Sequence, residues 1–267
     1  MFRRLVLALA TIALTAGLPA CGEDLPAARP GTLEYTENAR AAYGKAMRAF
    51  YEHDWEKAEK LFQQVRRDYS QSRYARWAEL RLADIKFEQD QLAEAISAYK
   101  VFVQSHRRDP GLAYAHYRVC RALFLQINDT ILLPPQEERD QGPTTEAYRE
   151  LRRFKQEYPQ TRWQEEIEYM LADVTGRLVR HELYVARFYL ARDNFEAAAS
   201  RARYGLRTYE DSGLEPEALV LLGEIYLKMK KRREARETFN RVLASYPASP
   251  FVVPARSFLE QMGEVKR

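Results

Sequence analysis

The stretch LVLLGEIYLKMKKRREARETFNRVLASYP, residues 219–247, decides the fold. Apolar residues recur in it at intervals of three and four in two runs, residues 219–226 and 235–242. That spacing is typical of an amphipathic α-helix, so each run predicts one helix. The basic residues 228–233 between the two runs predict a turn. The stretch therefore predicts a pair of antiparallel helices, which we call helix A and helix B.

The same stretch contains the order Leu-Gly-x-x-Tyr, Ala, Phe and Pro, which matches the tetratricopeptide repeat. The rest of the chain repeats this pattern with a period of 37 residues, with one small residue on each helix. Because no helix pair buries its apolar face alone, stacking of the pairs supplies the core. We therefore predict an all-α tetratricopeptide-repeat superhelix of about five helix pairs. The small positions are Ala46, Ala83, Cys120, Ala186 and Gly223 on helix A, and Ala58, Ala95, Ala147, Ala198 and Ala235 on helix B.

Two intervals are longer than the period. Between Ala95 and Ala147 the surplus falls in residues 128–144, which predicts a long loop between the helices of unit three. Between Ala147 and Ala198 the surplus joins unbroken helical sequence, which predicts a long first helix in unit four, from about residue 163 to residue 192. Gly176 within that helix costs about 1 kcal/mol relative to alanine, so we expect a close contact there.

The N-terminus has the features of a sorting signal. Two arginines precede the uncharged residues 5–18, a run that suits a secretory signal and is too short to span a bilayer comfortably. The following Leu18-Pro19-Ala20-Cys21 resembles a bacterial lipobox, which implies cleavage before Cys21 and acylation of its thiol. Gly22 in the next position implies sorting to the outer membrane. The alternative is an ordinary signal peptide that leaves Cys21 as a plain thiol.

These features predict three regions. Residues 1–20 form the signal peptide, residues 21–34 a lipidated flexible tether, and residues 35–262 the repeat domain. The predicted units are residues 38–70, 74–107, 112–159, 163–210 and 215–247, followed by a terminal helix.

Charge and motifs argue against several functional classes. The chain has 42 basic and 38 acidic residues, and loss of residues 1–20 removes two arginines, which leaves a net charge of +2 and no electrostatic case for nucleic acid as a partner. His181-Glu182 begins like a zinc-protease helix, but Val185 stands where the second histidine ligand is needed. We expect a binding scaffold with no catalytic residues, metal or cofactor.

Several strings resemble the BamD family, the tetratricopeptide lipoproteins of the outer-membrane β-barrel assembly machine. They are YAHY at residues 114–117, Arg139-Asp140 in the long loop, and Glu182 followed by residues 185–201. Their order and the two long intervals extend the resemblance from Cys21 to about residue 250. Cys120 departs from the pattern, since the family more often has glycine at this position.

The resemblance implies a function and a set of partners. It implies an outer-membrane-anchored scaffold on the periplasmic face that helps assemble and insert β-barrel proteins. The N-terminal repeats would bind unfolded barrel precursors, and the C-terminal repeats would bind the periplasmic domains of the barrel-forming subunit. Other assembly lipoproteins would join the complex, and the lipid anchor would hold the chain at the membrane.

Candidate site residues follow from the repeat register and the resemblance. Helix A forms the concave wall, where aromatic side chains can hold an extended strand end of a precursor. For each aromatic the alternative is ordinary core packing, and for Arg201 it is a solvated side chain. The groove candidates are Tyr43, Phe50, Trp77, Phe87, Tyr114, Tyr117 and Phe124, and Arg201 on helix B of unit four is the candidate for docking the barrel-forming subunit.

Two other functions fit the same repeat pattern. One is a tetratricopeptide lipoprotein that acts as an adaptor for peptidoglycan enzymes or a periplasmic protease, although the long loop and the Tyr114/Tyr117 pair argue against it. The other is a non-catalytic domain of a cell-wall hydrolase, which would need a catalytic region. Only about twenty residues follow unit five.

Overall fold

The computed structural model describes residues 31–127 and 134–263. In these ranges the chain forms eleven α-helices and no strand, which confirms the all-α prediction. The predicted signal peptide, Cys21 and most of the predicted tether lie outside the described residues. The helices are α1 (Thr32–Tyr51), α2 (Trp55–Asp68), α3 (Arg73–Glu88), α4 (Leu92–Ser105), α5 (Leu112–Gln126), α6 (Gly142–Glu157), α7 (Gln164–Leu190), α8 (Phe195–Thr208), α9 (Glu215–Lys228), α10 (Arg232–Ser245) and α11 (Val252–Gln261).

The helices are arranged as five successive pairs followed by α11. Each helix packs mainly against its neighbours in the chain, as expected for a protein built from stacked repeats. The first helices of successive pairs also touch: α1 contacts α3, α5 contacts α7, and α7 contacts α9. The A helices therefore share one layer. Among the described helices, none is both long and apolar enough to cross a membrane.

The predicted small positions are the places where helices cross closely. All ten are buried, and the nine that carry a Cβ atom are at most 1% exposed. At Gly223 on α9, an added Cβ atom would collide with the ring of Phe239 on α10. Phe239 in turn stacks on Phe258 of α11, with ring centroids 5.0 Å apart. Absence of a side chain at Gly223 thus lets the last three helices close on one aromatic pair.

The turns from helix A to helix B share one geometry in four of the five pairs. Each contains a residue in the left-handed region, with φ between 57° and 61°. His53 and Asp90 are one period apart, as are Asp193 and Lys230. In the first and fourth pairs, the side chains of Asp54 and Asn194 then accept a backbone N–H at 3.2 Å and cap the next helix. The common turn sets the same pairing in each of these units.

The structure also accounts for the two long intervals. The described part of the segment between α5 and α6 includes a 3-10 turn, Gln136–Glu138, that packs against α7. His181 Nδ1 on α7 lies 2.7 Å from the Glu137 carbonyl oxygen. The long first helix of unit four is confirmed, because α7 runs from Gln164 to Leu190. At the N-terminal end of the repeat domain, α1 begins at Thr32, slightly before the predicted start of the domain at residue 35.

The buried apolar residues form three clusters. The N-terminal cluster joins α1, α2 and part of α3, and includes Phe62 and Ile85. The central cluster extends from α3 to α9. The C-terminal cluster joins α9, α10 and α11 around Leu219 and Phe239. The stack therefore has a large central core with a smaller core at each end.

One sequence-based expectation is wrong. Gly176 does not mark a close contact, because the three atoms nearest to a Cβ atom added there all belong to the Arg180 guanidinium of the same helix, the closest at 3.7 Å. That distance is an ordinary van der Waals contact. The glycine therefore has a helix-propensity cost without a packing reason.

Alanine substitutions at Gly176 and Gly223 are expected to have opposite effects on the free energy of unfolding. Gly176→Ala is expected to raise the free energy of unfolding by about 0.5–1 kcal/mol, because it removes backbone freedom from the unfolded chain at no steric cost. Gly223→Ala is expected to lower it by about 1–3 kcal/mol, because the Phe239 ring must move. Urea denaturation of both variants measures the difference, and equal shifts would contradict the packing described for Gly223.

Candidate binding groove

A concave site lies where the first three A helices meet. Tyr43 of α1, Trp77 of α3 and Tyr114 of α5 line a cavity of about 320 Å³. The rings of Tyr43 and Trp77 are in edge contact, with centroids 6.0 Å apart. Three of the predicted groove residues, which are far apart in sequence, therefore share one cavity.

Two guanidinium groups give the cavity a cationic side. Arg81 of α3 and Arg162, from the turn before α7, both line it. The Arg81 guanidinium lies over the Tyr114 ring at 5.1 Å, and Arg162 lies over the Trp163 ring at 4.7 Å. Aromatic faces beside guanidinium groups suit a ligand that carries both an aromatic ring and acceptor oxygens.

A buried carboxylate holds this wall together. Asp84 on α3 is 2% exposed. Its Oδ1 atom accepts hydrogen bonds from the hydroxyl groups of Tyr99 on α4 and of Tyr114 on α5, the latter at 2.7 Å. Its Oδ2 atom lies 2.8 Å from Arg81 Nη2. Asp84 thereby ties a groove tyrosine and a groove arginine to the same point of α3.

Arg118 on α5 completes the charge balance around Asp84. Its Nε atom lies 3.6 Å from Asp84 Oδ1, and its Nη2 atom lies 3.1 Å from Glu88 Oε1. The guanidinium also covers the ring of Phe87 at 3.8 Å. Phe87, a predicted groove residue, is therefore half-buried beneath an arginine.

Burial keeps the tyrosine hydroxyls of this wall protonated. It raises the pKa of Tyr43 to about 12. Burial and the nearby Asp84 carboxylate also raise the pKa of Tyr114. Each hydroxyl therefore remains a hydrogen-bond donor throughout the physiological pH range.

The remaining predicted groove residues lie outside the cavity. Phe50 packs between Trp55 and Phe62 at the other end of α1, with the Trp55 ring 5.3 Å away. Phe124, on the last turn of α5, lies 6.4 Å from the exposed ring of Tyr169.

Tyr117 has a structural contact of its own. It is 4% exposed and stacks on Trp163 with ring centroids 4.8 Å apart and planes 12° apart. Its hydroxyl donates to Glu166 Oε2 of α7 at 2.6 Å. Tyr117 joins α5 to α7 and offers little surface to a ligand.

Sequence reasoning missed Arg81, Asp84 and Arg162. Asp84 had a detectable signal, since it stands directly between Ala83, a predicted small position, and the apolar Ile85 on helix A. A carboxylate in that place must be paired, which directs attention to nearby arginines and tyrosines. Arg162 had no comparable signal because it lies in a turn.

Arg201 lies on the outer side of α8, as the register predicts. Its side chain is 46% exposed, and its Nη1 atom lies 3.4 Å from Glu182 Oε2 of α7. Glu182 itself is buried, so its carboxylate fixes one side of the guanidinium and leaves the other side open. Among the described residues, no group of three or more His, Cys, Asp or Glu side chains could hold a metal ion.

The family model and the curated relatives that match this chain point to one family. Residues 36–238 match the family model described as YfiO, outer membrane lipoprotein. The chain is 27% identical to the outer membrane protein assembly factor BamD of Neisseria gonorrhoeae over 259 residues, which cover 92% of this chain and 94% of the relative. It is 26% identical to the BamD of Caulobacter vibrioides, over 96% of this chain and 81% of that protein. Among solved structures, a tetratricopeptide protein of Thermus thermophilus is 19% identical, with a TM-score of 0.34, over 83% of this chain and 99% of that one.

Neutralising the buried carboxylate is expected to destabilise the groove wall. Asp84→Asn leaves Arg81 and Arg118 without their shared counter-charge, so we expect the free energy of unfolding to fall by about 3 kcal/mol. Glu88→Gln is the matched control, because Glu88 is exposed and its loss is expected to cost less than about 1 kcal/mol. Urea denaturation measures both, and equal values would contradict a central role for Asp84.

Proposed function

Because the chain belongs to the YfiO family of outer membrane lipoproteins, we propose that it is a periplasmic scaffold, anchored to the outer membrane through acylated Cys21, that helps assemble and insert β-barrel proteins. The observation that carries this proposal is the match to outer membrane protein assembly factors over about nine-tenths of the chain. The family model alone covers α2 to α9 in full and parts of α1 and α10.

The groove offers a site for unfolded barrel precursors. The strands of a membrane barrel carry aromatic residues at the membrane interfaces, so a precursor presents aromatic rings on an extended backbone. One ring fits the cavity between Tyr43, Trp77 and Tyr114, and the backbone carbonyls of the segment can accept hydrogen bonds from Arg162. Phe124, and the part of Phe87 that the Arg118 guanidinium leaves uncovered, offer further aromatic surface for residues along the same segment.

Binding of a precursor segment is expected to depend on Trp77. Trp77→Leu removes the largest aromatic surface of the cavity, so affinity for a fluorescently labelled peptide from the last strand of a barrel precursor is expected to fall about tenfold or more. Fluorescence anisotropy measures this change, and thermal melting verifies that the variant is folded.

Phe188→Leu is the matched control for that experiment. Phe188 is 43% exposed on α7 and does not line the cavity, so its loss is expected to leave affinity unchanged. A peptide of the same composition in scrambled order controls for non-specific attraction. Equal losses in both variants, or equal binding of both peptides, would contradict a specific role for the groove.

Arg201 offers a docking point for the barrel-forming subunit. Glu182 fixes the guanidinium and does not cover it, so Arg201 presents an oriented cation to a carboxylate on a partner. The long helix α7, which carries Glu182, provides a rigid support.

A pull-down from detergent-solubilised outer membranes tests both the assembly function and Arg201. The tagged chain is expected to recover the large barrel-forming subunit in near-stoichiometric amount, and Arg201→Gln is expected to lower that recovery about tenfold. Arg203→Gln is the matched control, because Arg203 is an exposed arginine two residues further along the same helix. Recovery of peptidoglycan enzymes or a periplasmic protease in place of the subunit would contradict the assembly function.

A further inference from the structure

Exposed arginines gather at one edge of the first two repeats. This edge is formed by the turns from α2 to α3 and from α4 to α5, where B helices end and A helices begin. All five arginines are exposed, and we call them the basic edge: Arg66, Arg67, Arg73, Arg107 and Arg108.

The opposite edge of the same two repeats is acidic. It contains the turns from α1 to α2 and from α3 to α4, and six exposed carboxylates lie in or beside these turns. A helix of 14 residues separates the two edges by about 21 Å. Arg48, Lys57 and Lys86 also lie in or beside these turns. Glu56 pairs with Lys60, and Glu88 pairs with Arg118. Carboxylates therefore outnumber cations at this end of the helices, whereas arginines outnumber carboxylates at the other end. The acidic residues are Glu52, Asp54, Glu56, Glu88, Asp90 and Glu94.

The basic edge is not neutralised by its neighbours. Asp109 pairs with Arg76 at 2.7 Å, and Glu79 lies 2.7 Å from His106, so these two carboxylates are already engaged. The exposed carboxylates that remain at this edge are Asp68 within the two turns and Glu34 in the first turn of α1. None of the five arginines of the basic edge forms an ion pair with a described residue. The Arg73 guanidinium lies over the rings of Tyr74 and Trp77, and the other four side chains are free to face solvent.

A shallow depression lies within this edge. It has a volume of about 650 Å³ and is lined by Arg76, His106, Arg107, Arg108 and Asp109, among others. Arg107 and Arg108 form its cationic rim. An anionic headgroup can enter such a depression and contact two guanidinium groups at once.

The chain enters the repeats at this same edge. The Tyr35 ring in the first turn of α1 lies 5.4 Å from the ring of Tyr69, in the turn from α2 to α3. Cys21 is only eleven positions before Thr32. A segment of that length spans at most about 40 Å, so an anchor on Cys21 would hold the basic edge close to the membrane.

We propose that the basic edge lies against anionic phospholipid headgroups of the membrane to which the chain is anchored. The choice of membrane rests on the proposed anchor at Cys21. The charge separation between the two edges does not depend on that anchor. Basic residues next to a lipid anchor supply a second membrane attachment, and each basic residue near an anionic surface raises partition about fivefold. Contact along this edge turns the acidic edge away from the bilayer and fixes the direction of the helix axes relative to it.

Vesicle flotation with the unacylated chain from residue 22 onward tests the edge alone. The chain is expected to bind vesicles of equal parts phosphatidylglycerol and phosphatidylcholine at low salt, to release as salt rises, and not to bind pure phosphatidylcholine. Replacement of Arg66, Arg67, Arg107 and Arg108 by glutamine is expected to lower the bound fraction at least tenfold. Thermal melting is expected to remain unchanged, since all four side chains are exposed.

The matched control removes four charges elsewhere. Glutamine at Lys228, Lys230, Lys231 and Arg233 changes the net charge equally at the turn between α9 and α10, and is expected to leave vesicle binding unchanged. Equal losses in both variants would show attraction by net charge only and would overturn the proposal. Failure of the unaltered chain to bind anionic vesicles would also overturn it, and this is the result expected if the edge binds an acidic protein surface. Labelling of Cys21 with palmitate tests the anchor separately. A failure of vesicle binding therefore does not imply that the anchor is absent, and absence of the anchor does not imply that the basic edge cannot bind lipid.

Discussion

Close approach of two helices at a small side chain is the constraint on which the whole stack depends. A helix pair buries its apolar stripe only if its two axes come near each other, and that requires alanine, cysteine or glycine where they cross. The ten small positions satisfy this requirement in every pair, and Gly223 shows its limit, since even a methyl group would collide with Phe239. Cys120 is explained in the same way, as a small buried side chain.

The parts of the fold that follow from periodicity could be predicted from the sequence. The helix pairs, the buried small residues and the 27-residue helix α7 agree with the structure because each leaves a regular trace in the spacing of apolar residues. Gly176 was misread because a glycine in a helix gives no sign of whether a neighbour is near. The groove could be predicted only in part, because Tyr43, Trp77 and Tyr114 lie in the repeat register, whereas Arg162 reaches the cavity from a turn.

The groove depends on polar contacts that repeat patterns do not specify. Asp84 holds Arg81 and Tyr114 by short contacts. These two partners come from different helix pairs, because Arg81 lies on α3 and Tyr114 lies on α5. A buried carboxylate is costly unless several donors surround it, so the same network that forms the cavity wall also fixes how α3 and α5 are placed relative to each other. The shape of the cavity wall and the packing of α3 against α5 therefore depend on the same few side chains.

The division of the core gives this cavity a mechanical property. Tyr43 and Trp77 pack on the N-terminal cluster, whereas Tyr114 packs on the central cluster. The two walls therefore belong to bodies with separate cores, joined along α3. In a stack held together by nearest neighbours, the end unit opens at the lowest free energy. The cavity would therefore widen when unit one detaches locally from the rest of the stack. A ligand that contacts both walls would stabilise unit one in its packed position.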